Sequence, residues 1–356
     1  MIKLAFDISS LNHLEISGVG VYVAELLKSL RQIQNLQVAP VWRISRFKHR
    51  KYFQMHVGDS RPWLNGWMIN PQVLHGPDFW VETHPRAARV VTIHDVAFLK
   101  SGMTSPEFAA KKKRDLESLL LKSPPQAIAV VSEATKRELV ANYPEFEPRT
   151  FVTYLGADHF QFGQEPIPEV DAAEKYFLFV GNLEARKNVL GIIKAFEIHA
   201  AHSSIPIRLK LIGKLGYQGD EIISAVKNSR VKNRIDLLGY CSKLQLEMYY
   251  RNAIALVYPS WIEGFGLPVI EAMKLNCPVI TSSTTSTAEV SGGHAFLVDP
   301  SEPATIASAM DRALALDTSS EERDQWLAKA RLHADSFTWA RCASSTYEIY
   351  KYALKS

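Results

Sequence analysis

The stretch IALVYPSWIEGFGLPVIEAMKLN, residues 254–276, decides how this chain is read. Its first seven residues, Ile254 to Ser260, form a short apolar run and predict a buried strand. From Pro268 the pattern becomes helical, and proline suits a first helical position because its missing N–H would have no partner there. Strand, glycine-containing loop and helix, in that order, is the unit of a parallel α/β sheet. The loop puts Gly264 and Gly266 at the helix N-terminus, where backbone without a Cβ can approach a ligand and free N–H groups favour an anion such as a phosphate. Glu263 lies just before the turn and Glu271 within the first turn or so of the helix. Both are thus available to one pocket as acceptors for hydroxyl donors, and two sugar-like moieties flanking a phosphate would satisfy the arrangement. The helix dipole alone also favours acids near a helix start, so the spacing by itself leaves both readings open.

Working outward, the same rhythm runs through the chain. IKLAFDI, LQVAPVWRI, RVVTIHD, QAIAVVS and TFVTYLG read as strands in the first half, with a helix over YVAELLKSLRQI. The rhythm lapses in a proline-containing acidic stretch, placed as a linker at residues 160–174, and resumes at YFLFVGN. Later strands are IRLKLIG, RIDLLG, PVITSS and AFLVDP, separated by helices. At 356 residues the chain exceeds what one core usually organises. The expectation is two Rossmann-like domains, residues 1–165 and 166–335, with residues 336–356 as a C-terminal helix packing back on the first. Ligands of such sheets bind outside the carboxyl ends of the strands, so the loops there should line a crevice between the domains.

Composition narrows the class. The chain is 47% hydrophobic and 22% charged, which fits an ordinary globular protein. Three cysteines, Cys241, Cys277 and Cys342, are an odd number without a close pair, which argues against a disulfide framework and for a reducing cytoplasm. The N-terminal apolar run is broken by Asp7 and is too short for a signal peptide, and no stretch reaches membrane-spanning length. A net charge of +4 without a recognition-helix, zinc-finger or aromatic RNA-binding signature gives no support for nucleic acid. SGVGVYVA carries Val23 where a dinucleotide fingerprint needs its third glycine, so a dehydrogenase is rejected.

EGFGLPVIEAM resembles the signature of the retaining, nucleotide-sugar-dependent glycosyltransferases of family 4, whose architecture is GT-B, two facing Rossmann-like domains with parallel sheets and an interdomain cleft. Five further segments agree in order: SGVGVYVAELLKSL, TIHDVAFL, VVSEATKREL, GNLEARKN and AEVSGGHAFLVDP. Within the family the chain is most similar to mannosyltransferases of bacterial surface-polysaccharide assembly. The resemblance implies that Glu271 holds the ribose hydroxyls, that Glu263 faces the transferred sugar, and that Arg186 and Lys187 stabilise the diphosphate. It implies donor contacts from Gly181 and Asn182 in GNLEARKN, from Gly264, Phe265, Gly266 and Leu267, from backbone around Gly18 and Gly20 in a glycine-rich loop, and from Tyr240 beside the base. Fixed cations would stabilise the charge that grows on the leaving diphosphate. Cations at a helix start are misplaced unless an anion offsets them, which itself hints at an anionic ligand. His94 and Asp95, at a strand end, also read as a satisfied structural pair; the resemblance makes His94 a contact of the donor sugar and Asp95 an orienting or acceptor-side group. No protein nucleophile is implied.

No Asp-x-Asp occurs, so no metal requirement and no cofactor is expected. Val21 stands where many relatives have Arg, and Asn276 where a Gly is usual, the latter as a helix C-cap. Between Trp42 and Trp67, Arg43, Arg46, Lys48, Arg50, Lys51 and Arg61 interleave with aromatic residues against one acid, Asp59. That mixture suits an anionic membrane face or a lipid-phosphate acceptor, and equally a long loop whose aromatics are partly core. KKKRDLESLLLK at Lys111 to Lys122 is a second basic amphipathic candidate. The expectation is therefore a hexosyltransferase, with mannose from GDP-mannose preferred, acting on a glycan or lipid-linked acceptor from the cytoplasm or the inner membrane face. The alternatives are a noncatalytic sugar-nucleotide or glycan-binding protein on the same fold, and a hydrolase or phosphorylase.

Overall fold

The computed structural model describes residues 1–14, 17–63, 70–160, 174–203, 205–318 and 320–356. The chain divides into two units, Met1–Leu99 with Glu107–His159 and Phe337–Ser356, and Lys100–Pro106 with Phe160–Ser336. The expected boundary between residues 165 and 166, and the linker at 160–174 apart from Phe160 and Glu174, lie outside the described residues.

In the first unit seven strands make one parallel sheet: β1 (Ile2–Asp7), β2 (Leu36–Arg43), β3 (Arg61–Trp63), β4 (Val73–Gly76), β5 (Ala88–Ile93), β6 (Ala127–Val130) and β7 (Thr150–Val152). Their order is β3-β2-β1-β4-β5-β6-β7. Every residue of β4 and β6 is buried, as in strands covered on both faces by helices. Val91, Ile93, Ile128 and Val130 pack with Leu116, Leu119, Leu120 and Leu139 in a core cluster. Four helices follow in chain order, α1 (Gly18–Leu30), α2 (Arg50–Val57), α3 (Pro106–Glu117) and α4 (Glu133–Asn142).

Two expectations change here. Gly18 and Gly20 do not form a loop: Ser17 is the N-cap, and both glycines lie in the first turn of α1. The basic aromatic segment is not a long loop either, because Ile44–His49 forms a 3-10 turn that leads into α2. Trp42, Phe53 and Trp63 are core, whereas Ile44, Phe47 and Met55 are exposed. Residues 64–67 of that segment lie outside the described residues.

The second unit repeats the plan with β8 (Tyr176–Val180), β9 (Arg208–Ile212), β10 (Ile235–Gly239), β11 (Ala255–Tyr258), β12 (Val279–Ser282) and β13 (Phe296–Val298). The order is β10-β9-β8-β11-β12-β13, again all parallel. Helices α5 (Val189–His202), α6 (Gly219–Asn228), α7 (Lys243–Asn252), α8 (Leu267–Lys274), α9 (Ser286–Ser291), α10 (Pro303–Thr318) and α11 (Ser320–Ala334) connect and flank these strands. Ser242 and Gln245 form a reciprocal capping box at the start of α7, which satisfies two otherwise orphaned donors. Asn276, just past α8, has φ 56°, the left-handed geometry that ends a helix. The last helix, α12 (Trp339–Ala353), belongs to the first unit, where it packs on α1, β5 and β6.

Each sheet reverses its strand order once, between β1 and β4 and between β8 and β11. Diverging connections on the two sides of such a reversal open a crevice at the carboxyl ends of the strands.

Candidate active site

At the reversal of the second sheet, β8 ends in the loop Gly181–Lys187 and β11 in the loop Pro259–Gly266. A backbone bond from Trp261 N–H to Arg186 O, 2.9 Å, holds the two loops together. The first loop is also fastened to the segment after β9, through Leu183 N–H to Lys214 O and Gly216 N–H to Leu183 O. Gly213 makes that contact possible: with φ 145°, a Cβ there would lie 1.9 Å from Gly181 O. Ala185–Lys187 is a 3-10 turn, and Asn188, at φ 56°, starts α5. The Asn188 side-chain amide donates to Pro259 O and Pro300 O, which ties that helix start to both neighbouring loops.

Four charged groups meet here. Lys187 is buried; its Nζ donates to Tyr258 Oη at 2.6 Å and to the Glu263 carboxylate. Tyr258 Oη in turn donates to Glu263 Oε2 at 3.2 Å. Arg186 Nη1 lies 3.6 Å from the same oxygen, and its Nε is 2.7 Å from Glu184 Oε1. Burial pulls the Lys187 ammonium below its ordinary value, and Arg186 adds to this against the opposing pull of Glu263. Burial alone would raise Glu263, but Lys187 and then Arg186, with the two hydrogen bonds, outweigh it and hold the carboxyl below the usual range. The carboxylate therefore keeps its charge while the ammonium holds its proton less firmly than a free lysine. Glu184 and Glu263 partly offset the two cations, so their place at a helix start does not by itself require an anionic ligand.

The glycine turn is also built for close approach. Gly266 caps α8 at φ 92°, and a Cβ on it would lie 2.6 Å from Thr287 Cγ2. Helix α8 begins at Leu267, one residue earlier than expected, with Pro268 second. Ser286 Oγ donates to Glu263 O at 2.7 Å and fixes the backbone that carries the carboxylate. Glu271 sits in the second turn of α8, buried, and accepts from Tyr250 Oη at 3.1 Å. Gly264 and Phe265 are buried in the same turn, Gly181 (φ 147°) opens the β8 loop with Asn182, and Tyr240 stands half exposed after β10 with Lys214 Nζ 5.3 Å from its ring centroid. A cavity of about 170 Å³ beside these loops is lined in part by Glu184, Asn188, Gln218 and Trp261.

His94 and Asp95 belong to the first unit, at the end of β5. His94 is buried, its Nε2 is 2.7 Å from Pro77 O, and the Tyr22 ring meets it edge-on at 4.8 Å. A carbonyl only accepts, so Nε2 carries the proton. Burial lowers the His94 value, keeping the ring neutral with Nδ1 as an acceptor. Asp95 Oδ1 accepts from Ala97 N–H at 3.0 Å and caps the short turn that follows. Nearby, Phe79 holds φ 53°, a conformation bulky side chains rarely adopt, on the loop after β4. Behind it, Tyr22, Thr92, His75 and Tyr350 form a buried hydrogen-bonded chain, in which burial takes His75 down to about 3.

The structure thus joins Arg186, Lys187 and Glu263 in one cluster and places Glu271 on the helix that the glycine turn begins. Glu184 and Tyr258 escaped the sequence reading, Tyr258 because it sits in an apolar run that looks like core. Gly213 was equally hidden, although IGKLG carries a glycine directly after a strand.

The sequence profile described as "Glycosyl transferases group 1" matches residues 163–333. The O-antigen chain mannosyltransferase B of Escherichia coli is 30% identical over 291 residues, 78% of this chain and 74% of that protein. Among solved structures, the sucrose-phosphate synthase of Thermosynechococcus elongatus superposes with a TM-score of 0.73 at 17% identity, covering 99% of this chain and 98% of the other. The Anabaena protein HepE, in complex with UDP and glucose, gives 0.72 at 14% identity over 98% and 99%.

Proposed function

The chain belongs to the group 1 glycosyltransferases of GT-B fold, and from that premise we propose that it transfers mannose from GDP-mannose, with retention, to a glycan or lipid-linked acceptor in surface-polysaccharide synthesis. The observation that carries the reading is the Lys187–Tyr258–Glu263 cluster with Arg186 at the β8/β11 reversal, the place where such sheets take their ligands. The 30% identity with a mannosyltransferase supports the choice of sugar, and the UDP and glucose bound by HepE support a nucleotide-sugar donor in general.

In this reading the donor diphosphate lies over Arg186 and Lys187 and the positive amino end of α8, with Gly181 and Asn182 beside it. Among the described residues, two of the three Nζ protons of Lys187 are engaged, leaving one for an oxyanion. As the diphosphate leaves, its growing charge meets cations already fixed by Glu184 and Glu263, so little reorganisation is needed. Glu263 receives hydroxyls of the transferred sugar, Glu271 those of the ribose, and Tyr240 borders the base. Gly18 and Gly20 offer the amino end of α1. Neutral His94 accepts a sugar hydroxyl at Nδ1, and Asp95 orients the acceptor side. These fixed positive groups take the part a divalent ion plays elsewhere, so transfer needs no metal, and chelator should leave the initial rate unchanged. The exposed Ile44, Phe47 and Met55 with the adjoining basic side chains make the peripheral contact with an anionic membrane face.

The test is a thermal-shift and donor-hydrolysis panel across GDP-, UDP-, ADP- and dTDP-sugars. Stabilisation by GDP-mannose, lost in Glu271→Ala and Lys187→Ala, is the expected result. Preference for another base replaces the donor assignment, and no response to any donor favours a noncatalytic binding protein.

A further inference from the structure

Helices α5 and α10 lie side by side in the second unit, joined by side-chain contacts at two levels with the same offset. Asn188 Nδ2 bonds Pro300 O at 2.8 Å, and further along His199 Nδ1 lies 2.6 Å from Asp311 Oδ1, both pairs being 112 residues apart. His202 follows His199 by three positions and so projects from the same helix face. Its Nε2 is 3.1 and 3.3 Å from the two Asp311 carboxylate oxygens. The three prospective donor atoms all lie within 4.8 Å of one another. His199 is fully buried, whereas the side chains of His202 and Asp311 are 56% and 42% exposed, so the group has a dry inner side and an outer side open to water.

We propose that His199, His202 and Asp311 bind a divalent transition-metal ion of the zinc class, with solvent completing its coordination. Two imidazoles and one carboxylate are the borderline nitrogen and oxygen set that suits zinc, cobalt or nickel better than magnesium or calcium. The histidine–carboxylate separations of 2.6 to 3.3 Å are close to what two donors roughly 2.0–2.2 Å from one ion require, and the two imidazole nitrogens, within 4.8 Å of each other, close on the ion by side-chain rotation. On binding, the ion takes the Nδ1 lone pair of His199 and one carboxylate oxygen of Asp311. The proton formerly shared between these atoms passes through solvent, and the neutral ring then carries its proton on Nε2.

That nitrogen has no hydrogen-bond partner among the described residues, and the nearest aromatic neighbour is Phe177, perpendicular to the His199 ring with centroids 5.3 Å apart. A metal-bound histidine normally donates its second N–H to a carboxylate or carbonyl, and lack of that partner weakens binding roughly 10- to 100-fold. The site therefore belongs to the exchangeable class. At 1.5 Å per residue, His199 stands about 16 Å along α5 from Asn188, too far for the ion to touch the Lys187 cluster. Its effect is to clamp α5 to α10 behind the loops that Asn188 ties together.

The test uses the full chain, freed of metal with chelator and dialysed, then titrated with Zn²⁺ by calorimetry and with Co²⁺ by visible absorption. The expected result is one equivalent bound with a dissociation constant of roughly micromolar order, a cobalt ligand-field band, and a melting temperature raised by a few degrees at about 100-fold excess over that constant. His202→Ala, which keeps the His199–Asp311 bond and alters an exposed position, should weaken binding at least about 10-fold and remove the band, as should Asp311→Asn. Donor turnover by both variants should stay at the wild-type level. Absence of saturable binding to the wild type overturns the proposal, and so does unchanged affinity in both variants, which would place the ion elsewhere among the 11 histidines.

Discussion

Lys187 and Glu263, 76 positions apart in the sequence, share a hydrogen bond in the buried ground between the two loops that flank the β8/β11 reversal. The pair stands on opposite sides of the point where the sheet opens, so each loop is held in place by the charge of the other. Removing Lys187 leaves the buried carboxylate with Arg186 Nη1 at 3.6 Å and the Tyr258 hydroxyl, so the cost falls below the about 3–5 kcal/mol of a wholly uncompensated charge. Lys187→Met should therefore lower stability by about 1–3 kcal/mol, the cost of a lost buried hydrogen-bond partner. Lys187→Met with Glu263→Gln should recover most of it while remaining without donor turnover. Denaturant unfolding of both variants checks this, and a double variant as unstable as the single one would show that the pair is not the source.

The two glycines that bring the loops together allow a sharper comparison. Gly213→Ala would drive a Cβ to 1.9 Å from Gly181 O, a backbone atom with no rotamer to yield, at φ 145°. Gly266→Ala meets Thr287 Cγ2 at 2.6 Å, where the side chain can give way. Gly58, at φ 77°, has no atom of the described residues within 4 Å of where a Cβ would sit, and serves as the control for backbone strain alone, about 1 kcal/mol. The expected order of destabilisation is Gly213→Ala, then Gly266→Ala, then Gly58→Ala, read from melting temperatures. Loss of donor binding should accompany the first two only.

The reach of the sequence can be judged on these same residues. Strands such as Tyr176–Val180 are legible because a strand covered on both faces is apolar throughout, and the glycine turn before α8 is legible because Gly and Pro have few other uses there. The strand Val73–Gly76 was missed: four residues with a histidine inside give no periodicity. Arg61–Trp63, with Pro62, looks like a turn, although proline is tolerated at the edge position it occupies. The partners of the site cations, Glu184 and Tyr258, were invisible for a different reason. Pairing between loops on separate strands is set by the sheet order, which local pattern does not contain.

His75 makes the first unit sensitive to acid. Burial holds its folded value at about 3, against about 6.5 for an exposed histidine, and its two ring nitrogens bond Tyr350 Oη and Thr92 Oγ1. Below about pH 6.5 the unfolded chain binds a proton that the folded one refuses, so stability falls as pH falls and levels off near the folded value. The loss reaches about 4 kcal/mol by pH 3. His75→Gln should flatten the slope of stability against pH between about 6 and 4. An unchanged slope in urea unfolding at those pH values would assign the acid sensitivity elsewhere. Glu263 contributes in a lower window: its folded value lies below the ordinary one, so its contribution is present above about 4.3 and is lost as pH falls through the folded value.

The exposed face of the 3-10 turn and α2 gives the last prediction. Trp42, Phe53 and Trp63 are anchored in the core, which leaves Ile44, Phe47 and Met55 as the apolar residues that can enter a headgroup layer. Arg50 already lies over the Phe47 ring at 4.6 Å, so cation and aromatic would approach an anionic surface together. Each basic side chain near such a surface contributes about 1 kcal/mol, so Arg46→Gln with Lys48→Gln should weaken binding to anionic vesicles by about 30-fold at low salt. Phe47→Ser should weaken it with less dependence on salt, because that contribution is apolar burial rather than charge. Co-sedimentation with vesicles containing phosphatidylserine measures both. Wild-type protein that stays in the supernatant at low salt would remove the membrane from the account and leave the face as ordinary solvated surface.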